Sequence, residues 1–470
     1  MFNLSSFSEN KAVITDRGEV LTYAQLFEET ELFKKRIPYR GLICCLCTNT
    51  IGSLIGYLSG FHSRLPLVLL DGERDNQYIY SYIDKYCPEY IWISSDRYSV
   101  FSKKVIYERY GYTLIQMDYG EDKKPMPLNE DLSLCLTTSG STGSPKLVRL
   151  TENNLKANAE SIAEYLNIDE NERPITTLPM FYSYGMSVIN SHLIKGATIL
   201  LTSASVFSKT FWDFFEKVSP TSIAGVPFTY EMLEKIGFFN MEMPSLKTML
   251  QAGGKLNAKI VERYVNFASD TNREFIVMYG QTEAGPRMSY LPFEKAHEKP
   301  ASIGIPIPRA DFKLYDVEDN QINQANVEGE LIFIGASVCM GYAEERKDLS
   351  KGDENHGILK TGDMAYRDVD GYYYITGRLK RFVKIWGNRY NLDAIEQLVK
   401  PITPNCACVG NDEVIYVFVE DIRYVDNINQ VMSKTLKLDK SCYKIKEIEC
   451  IPKTPSGKIN YMALKEMMGV

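Results

Sequence analysis

The sequence predicts an α/β protein, with a large N-terminal layered α/β domain that carries an antiparallel β sub-domain and a small C-terminal α+β domain. In residues 1–130, apolar strand-like runs such as KAVIT and GLICCLC alternate with amphipathic helical runs, which predicts a largely parallel sheet. From Asp311 onward, short strands and turns alternate, which is typical of antiparallel pairing. Strands and helices then alternate again, so we place the large domain at 1–379 and the small domain at 380–470.

Length and composition narrow the class of protein. The 470 residues are enough for several domains, and 44% hydrophobic with 24% charged residues is ordinary for a soluble globular chain. A net charge of −7 without a long basic run argues against nucleic acid as a partner. We expect no secretion signal, no transmembrane segment and a cytoplasmic location. The ten cysteines lie mostly in apolar runs without metal-binding spacing, so we expect buried thiols.

A Ser/Gly-rich stretch at residues 136–150, LTTSGSTGSPKLVRL, is the first candidate ligand site. Its glycines let the backbone turn its N–H groups inward, and hydroxyl groups with a nearby lysine suit phosphate oxygens and a hydrated magnesium ion. The Gly-Lys-Ser/Thr ending of a Walker loop is missing. A plain surface turn is the alternative to a nucleoside triphosphate site, which we predict at Thr138, Ser139, Gly140, Ser141, Thr142, Gly143 and Lys146.

Apolar runs flank this loop, LSLCL before it and LVRL after it, and they predict a strand on each side. A helix is predicted to follow from about Thr151. Its apolar face is defined by residues at helical spacing, namely Leu155, Ala159, Ile162, Ala163 and Leu166.

Two later strands run into polar turns, MLQAGGKLN at 249–257 and FIVMYGQTEAGPRMSYL at 275–291. Strand ends of this kind are where α/β sheets place ligand groups. Tyr279 suits stacking on a base, Thr282 suits contact with phosphate, and Glu283 suits magnesium. Taken alone, each turn is equally well explained as a polar strand end.

The C-terminal part adds three charged candidates. Asp363 follows a turn and Arg378 ends a strand. The two side chains could bind a ribose diol from two sides, or both could be surface residues of turns. In PKTPSGKIN, Pro455 and Gly457 force a loop that presents Lys458, which in isolation reads as a solvated lysine.

Together these motifs resemble the adenylate-forming superfamily of acyl-CoA synthetases, luciferases and adenylation domains of peptide synthetases. The resemblance covers nearly the whole chain, because seven motifs occur in the family's order. They are TSGSTGSPK, LPMFYSYG, AGGKL, YGQTEAG, GELIFIGASVCMGY, KTGDMAYRDVDGYYYITGRLKRFVKIWGNRYNLDAIE and PKTPSGKI.

The resemblance implies a role for each motif. The loop from Thr138 to Lys146 is similar to the family's phosphate loop, and Lys458 matches the lysine that bridges the substrate carboxylate and the α-phosphate. Thr282 matches the α-phosphate contact and Glu283 the magnesium ligand, so Lys458, Thr282 and Glu283 are the predicted catalytic residues. The resemblance also implies contacts with adenine or ribose, assigned to Gly253, Gly254, Lys255, Tyr279, Gly280, Gln281, Asp363 and Arg378.

Two further positions concern the second half-reaction. Lys380 matches the hinge between the large and small domains, and Gly387 lies in the loop that lines the family's pantetheine tunnel. Since Lys458 and the thiol channel cannot be presented at once, we expect the small domain to rotate about Lys380.

The motif LPMFYSYG supplies the predicted acid pocket at Tyr182, Tyr184 and Gly185. It departs from the family because Tyr182 stands where many acyl-CoA synthetases have histidine. FYSYGMS also lacks the aspartate that amino-acid-activating relatives use to pair the substrate's ammonium group. An unpaired buried ammonium is costly, so we disfavour an α-amino acid.

The resemblance therefore predicts an enzyme, an AMP-forming ligase that needs ATP and Mg²⁺. It would activate a fatty or other non-amino acid to an acyl-adenylate and pass the acyl group to coenzyme A or to the phosphopantetheine of an acyl carrier protein. The alternatives are a stand-alone amino-acid:carrier-protein ligase of the D-alanine type, a non-catalytic nucleotide sensor on the same fold, and a hydrolytic NTPase.

Overall fold

Strands and helices alternate from the start of the chain in the order that the sequence pattern predicts. The computed structural model describes residues 1–98, 104–119, 126–137, 146–386, 388–453 and 459–468. The first elements are β1 (Lys11–Thr15), β2 (Val20–Thr22), α1 (Tyr23–Lys34), β3 (Ile43–Cys47), α2 (Ile51–His62), β4 (Leu67–Asp71), α3 (Asn76–Tyr86), β5 (Tyr90–Ser94), β6 (Lys104–Arg109), β7 (Tyr112–Gln116), β8 (Leu132–Thr137) and β9 (Leu147–Thr151).

The middle of the chain continues the alternation and then changes to strands alone. Its elements are α4 (Glu152–Tyr165), β10 (Pro174–Ile175), α5 (Ser183–Leu193), β11 (Ile199–Leu201), α6 (Lys209–Val218), β12 (Ser222–Gly225), α7 (Pro227–Lys235), β13 (Thr248–Gln251), α8 (Ala258–Asp270), β14 (Glu274–Gly280), β15 (Arg287–Tyr290), β16 (Ile305–Pro306), β17 (Ala310–Tyr315), β18 (Gln321–Ile322), β19 (Gly329–Gly335), β20 (Gly341–Ala343), β21 (Ile358–Arg367) and β22 (Tyr373–Arg378).

The last elements again mix strands and helices. They are β23 (Phe382–Ile385), β24 (Asn388–Asn391), α9 (Leu392–Val399), β25 (Cys406–Gly410), β26 (Ile415–Val419), α10 (Val425–Gln430), β27 (Tyr443–Glu447) and α11 (Tyr461–Glu466).

The described residues form two compact units. The larger holds the chain up to Asp311 together with Phe333–Leu359, and the smaller holds Phe312–Ile332 and the chain from Lys360 onward. The hinge at Lys380 and the boundary between 379 and 380 remain predictions.

One sheet of the larger unit has the strand order β20-β9-β8-β4-β3-β5-β7-β6 among the described residues. Its centre is parallel, because β3 pairs with β4 and β5, and β4 pairs with β8, all in parallel. Its outer pairs are antiparallel. The prediction of a largely parallel sheet was wrong for these edges. The β6–β7 hairpin shows why, since Tyr110 and Gly111 form a tight turn with positive φ, which requires antiparallel strands.

The other sheet of the larger unit has the order β16-β15-β14-β13-β12-β10-β11-β1-β2 in the described part of the chain. Strands β12, β13 and β14 are parallel neighbours, with Gly225 opposite Gln251 and Gln251 opposite Val277. Their carboxyl ends therefore share one edge, and the polar turns predicted from the sequence follow at that edge.

Two helices connect these sheets to the candidate site. Thr151 caps α4 in a capping box with Asn154, and the predicted apolar face is buried at Leu155, Ala159, Ile162 and Ala163. Helix α5 is buried on every side. Its Met186 and Ile189 pack in a cluster with residues of β8 and β9, whereas its Tyr184 and Val188 pack with residues of β12 to β14. Helix α5 thus lies between the two sheets.

The smaller unit contains the sheet β18-β17-β19-β21-β22, the ribbon β23-β24 and the sheet β25-β26-β27. Pairing is antiparallel in β17–β18 and β21–β22, as predicted for this sub-domain. The run RFVKIW forms β23, which pairs only with β24 in the described chain. Asn391 caps α9, because its side-chain oxygen accepts from the N–H groups of Asp393 and Ala394.

The cysteines fit the prediction of unpaired, mostly buried thiols. All ten are free, with Cys87 partly buried and Cys450 exposed. No group of acidic, histidine or cysteine side chains suited to a metal ion occurs within the described residues. In the same residues, no helix combines the length and apolar character needed to cross a bilayer.

Candidate active site

The turn that follows β14 is held by a buried asparagine on α4. The Asn158 side-chain amide donates to the carbonyl oxygens of Ala284 (3.2 Å) and Arg287 (2.7 Å), and its oxygen accepts from the Arg287 N–H (3.3 Å). Asn158 is fully buried. Sequence analysis missed it, although an asparagine beside the apolar face of a predicted helix was a usable signal. These bonds fix the turn that carries Thr282 and Glu283.

Thr282 lies next to the start of α5. Its hydroxyl is 3.0 Å from the Ser183 hydroxyl. On the same side, Gly253 has φ +84°, and a Cβ there would lie 2.8 Å from the Tyr182 hydroxyl oxygen. Only glycine suits this position, because its φ is left-handed and a phenol occupies the space of a side chain. The structure thus brings together residues predicted to contact acid, adenine and α-phosphate.

The other predicted pocket residues are held by backbone contacts. The Tyr184 hydroxyl donates to the Leu250 carbonyl oxygen (2.8 Å). A Cβ at Gly185 would collide with the carbonyl groups of Pro179 and Leu178, so the chain passes too close for any side chain. Burial raises the pKa of Tyr182, and the nearby positive charge of Arg287 opposes that shift. Both phenols therefore act as neutral groups near pH 7.

The remaining strand-end residues lie along the same edge. The Gly254 carbonyl accepts from the Gln251 side-chain amide at 2.9 Å, and Gln251 is buried. Lys255 is exposed. The Gln281 amide is 3.5 Å from the hydroxyl oxygen of Tyr279, and both residues, like Gly280 between them, are half-buried.

Tyr342 joins two of the predicted site residues. Its hydroxyl donates to Glu283 Oε1 at 2.7 Å, and the Lys146 ammonium lies 3.6 Å from the centre of its ring. Lys146 is also 3.7 Å from Glu344 Oε1. Burial and the Glu283 charge raise the pKa of Tyr342, which keeps the phenol protonated as a donor. The sequence motif GELIFIGASVCMGY contained this residue without assigning it a role.

A buried arginine supports the strand that carries Tyr342. Arg149 donates to the carbonyl oxygens of Tyr342 (3.1 Å) and Met340 (3.1 Å), and it pairs with Glu354. Its side chain is fully buried. Arg149 therefore fixes β20 against β9, three residues after Lys146.

The donor set of this cluster fits magnesium with a triphosphate. Mg²⁺ takes oxygen ligands and usually combines one or two carboxylates with phosphate oxygens and water. Glu283 offers a half-buried carboxylate, Thr282 offers a hydroxyl, and Lys146 offers a cation for phosphate.

The predicted ribose pair lies in the smaller unit. Asp363 and Arg378 are directly opposite in the β21–β22 ladder, and Arg378 Nε is 3.3 Å from Asp363 Oδ1. The Asp363 side chain is 6% exposed and that of Arg378 is 62% exposed. Asp363 is thus fixed, whereas Arg378 is hydrated. Lys380 is exposed in the single turn Leu379–Arg381.

Several predicted residues lie outside the described residues. They are Thr138, Ser139, Gly140, Ser141, Thr142 and Gly143 of the phosphate loop, together with Gly387 and Lys458. The described residues Lys453 and Ile459 pair across the segment that contains Lys458.

This fold, with the polar strand ends at one sheet edge, is that of the adenylate-forming enzymes. The chain belongs to the AMP-binding enzyme family, whose model matches residues 77–343, more than half of the chain. The predicted family is confirmed by this match.

Curated relatives and solved structures agree with this placement. Oxalate–CoA ligase from Arabidopsis thaliana is 27% identical over 355 residues, which cover 70% of this chain and 66% of that protein. A long-chain-fatty-acid–CoA ligase from Bacillus subtilis is 27% identical over 349 residues, covering 70% and 60%. These alignments thus span 60 to 66% of the relatives' own length.

The same fold is found in O-succinylbenzoate coenzyme A synthetase from Bacillus subtilis in complex with AMP. It matches with a TM-score of 0.79 at 20% identity and covers 99% of this chain and 98% of that chain. The match confirms the predicted fold class, a large α/β domain with a smaller C-terminal domain.

Proposed function

We propose that this protein is an AMP-forming acid:thiol ligase, which activates a carboxylic acid with ATP and transfers the acyl group to coenzyme A. The observation that carries the proposal is the contact of Lys146, Tyr342 and Glu283 beside Thr282. It puts a cation, a carboxylate and hydroxyl groups in one cluster, which suits a triphosphate and its metal ion. The relatives named as CoA ligases support coenzyme A as the acceptor.

The first step joins two anions, so the residues must position them and offset their charge. The acid carboxylate attacks the α-phosphorus, the new C–O–P bond forms, and pyrophosphate leaves with the electrons of the broken P–O bond. We assign Lys146 to the phosphates, Thr282 to the α-phosphate and Lys458 to the bridging contact. Mg²⁺, held by Glu283, would neutralise charge on the leaving phosphates. No general base is needed, because the acid is ionised at pH 7.

The second step transfers the acyl group to a thiol. The thiol gives up its proton to solvent and its sulfur attacks the acyl carbon. The thioester bond forms, the acyl C–O bond to the phosphate breaks, and AMP leaves with the electrons of that bond. We propose that the small domain, 380–470, turns about Lys380 between the steps, with Gly387 on the thiol path and Asp363 and Arg378 holding ribose. An acyl carrier protein is the alternative acceptor, and free cysteines are consistent with the proposed cytoplasmic location.

The acid is, in this proposal, fatty or another non-amino acid. The described wall of the predicted pocket contains Tyr182, Tyr184 and Gly185 and lies in an apolar cluster. The pocket motif FYSYGMS offers no acidic side chain to pair with an ammonium group. The relatives are named for acids as different as oxalate and long-chain fatty acids, so membership of the family leaves the acid open.

The test is acid-dependent exchange of labelled pyrophosphate into ATP, measured over fatty, aromatic, dicarboxylic and amino acids. We expect exchange with one class of acid, and a loss of roughly 100-fold or more in Lys458→Ala. Lys453→Ala is the matched control, an exposed lysine close to the same loop, and should exchange normally.

Three outcomes would contradict the ligase. ATP binding without exchange for any acid would favour the non-catalytic sensor. Phosphate release without acid would favour an NTPase. Exchange with an amino acid, followed by loading of a carrier protein alone, would favour the amino-acid:carrier-protein ligase.

A further inference from the structure

Arg287 is a charged residue in the apolar interior of the larger unit. It lies on β15 and is 1% exposed. Its guanidinium packs over the ring of Tyr184, with Cζ 4.3 Å from the ring centre. Its Nη1 contacts the Met278 sulfur and lies 3.4 Å from the Tyr165 hydroxyl. These neighbours offer a π face, a sulfur and a neutral phenol, but no negative charge.

Two donors of this guanidinium lack a hydrogen-bond partner. Nε and Nη2 are both buried and unpartnered among the described residues. Other buried arginines of the described chain are paired with carboxylates, Arg149 with Glu354 and Arg346 with Glu89. Arginine cannot lose its proton in a protein, so its charge persists in this interior. A buried charge without an anionic partner is costly, and such groups mark sites where a ligand completes the pairing.

The free edge of Arg287 has the shape that binds a carboxylate. In this chain, Arg109 uses Nε and Nη2 to bind both oxygens of Glu29, and Arg263 uses the same pair on Glu234. These two nitrogens form one planar edge, which matches the two oxygens of a carboxylate. Arg287 presents that same edge without an occupant from the described chain.

Arg287 touches the wall of the predicted acid pocket. A narrow crevice of about 10 Å³, room for about one water molecule, is lined by residues that include Leu178, Gly185, Val188 and Ala224. Leu178, Val188 and Ala224 belong to the same apolar cluster as Tyr184 and Met278, the two side chains that the guanidinium contacts. Arg287 therefore contacts Tyr184, a predicted pocket residue, and packs against the same apolar cluster that lines the crevice.

We propose that the acid substrate carries a second carboxylate, which binds Nε and Nη2 of Arg287. The proposal rests on the acid activation proposed above and narrows its substrate to a dicarboxylic acid. One carboxylate reacts at the α-phosphate, while the other stays bound to Arg287 and orients the acid substrate. The guanidinium repels the ammonium group of an amino acid, and the methyl end of a fatty acid leaves the charge unpaired.

The test compares acids that differ only in the second carboxylate, namely octanedioic with octanoic acid and benzene-1,2-dicarboxylic with benzoic acid. Wild-type protein should exchange pyrophosphate faster with each diacid than with the matched monoacid. Arg287→Met should lower kcat/KM for the diacid by roughly 100-fold and leave that for the monoacid within a few-fold. Arg263→Met, a surface arginine on α8, is the control and should keep the wild-type preference. A wild-type preference for monoacids, or an unchanged preference in Arg287→Met, would overturn the proposal.

A second measurement does not depend on turnover. The preferred diacid should raise the thermal midpoint of wild-type protein in the presence of a non-hydrolysable ATP analogue, because it binds the folded state. The same diacid should give no rise with Arg287→Met, whereas Arg287→Lys should keep part of it. Equal rises in wild type and Arg287→Met would contradict the proposal. If no acid supports exchange while ATP binds, the proposed ligase fails; if exchange occurs but ignores Arg287, only this inference fails.

Discussion

Two buried arginines, one in each unit, have opposite surroundings. In the smaller unit, Arg381 donates to Asp393 and Glu396, each at 2.6 Å, and to the Cys408 carbonyl at 3.0 Å, with its face 3.7 Å from the ring centre of Tyr461. In the larger unit, Arg287 meets a ring, a sulfur and a phenol, and two of its donors are free of partners in the described chain.

The difference teaches how to tell a structural charge from a binding charge. A carboxylate that pairs with Arg381 has further hydrogen bonds of its own. Glu396 also accepts from the Cys408 N–H (2.8 Å) and the Tyr461 hydroxyl (3.0 Å). This network joins β25, α9 and α11 and needs nothing from outside the chain. At Arg287 the described residues supply the cation but no anion, so we assign that half of the pair to the substrate.

The largest expected effect is a loss of stability when the hydrogen-bond network of Arg381 is broken. Arg381→Met should lower the free energy of unfolding by about 3–5 kcal/mol, because it leaves the Glu396 carboxylate buried and uncompensated. Urea denaturation of the full chain, followed by far-UV circular dichroism, measures this change. Arg423→Met is the control, since its pair with Asp421 is on the surface and its removal should leave the midpoint unchanged. Similar losses in the two variants would remove the basis of the comparison.

His192 is a buried base that, unlike Arg287, can lose its proton, so its effect on stability should depend on pH. Burial lowers the pKa of His192 to about 4, from an ordinary value of 6.5. Above pH 6.5 the ring is neutral in both states; between pH 6.5 and 4 the unfolded chain binds the proton first, so stability falls. The loss at pH 5 should be about 2 kcal/mol relative to pH 7.5.

Comparing the pH dependence of stability in His192→Gln and in wild type tests whether His192 causes this loss. Its urea midpoint should fall less than that of wild type between pH 7.5 and pH 5, because the proton uptake of the unfolded histidine is gone. Parallel pH profiles for the two proteins would mean that His192 titrates normally in the folded state.

The smallest expected effect is at the partly exposed cluster of Lys146, Tyr342 and Glu283. Tyr342→Phe keeps the ring under the lysine but removes the hydrogen bond to the carboxylate, a change of about 1 kcal/mol at a hydrated site. We expect the Mg²⁺ concentration needed for half-maximal ATP binding to rise by roughly fivefold, measured by calorimetry. Tyr342→Leu should also weaken ATP binding without Mg²⁺. If Phe and Leu give equal effects, the hydrogen bond to Glu283 has no separate role.

Periodicity predicted most of the large unit. Of the apolar face predicted for α4, Leu155, Ala159, Ile162 and Ala163 are buried, whereas Leu166 lies just after the helix and is half-buried. Periodicity did not predict the direction of the edge strands, because tight turns such as that at Tyr110 and Gly111 decide the pairing. Motif residues were found where a local pattern marks them, as at Thr282 and Glu283. Arg149 and Arg287 were missed, since each is a single arginine in an apolar run. Their surroundings come from residues distant in the chain, and only the fold brings these together.

The contrast between Arg381, which is paired within the protein, and Arg287, which we pair with the substrate, has one most direct test. It is the free energy of unfolding of Arg287→Met in the absence of any acid. If Arg287 is an uncompensated charge kept for the substrate, methionine should fill the same space without that penalty and stabilise the protein by about 1–2 kcal/mol. A loss of stability in Arg287→Met like that expected for Arg381→Met would contradict the account and make Arg287 part of the fold.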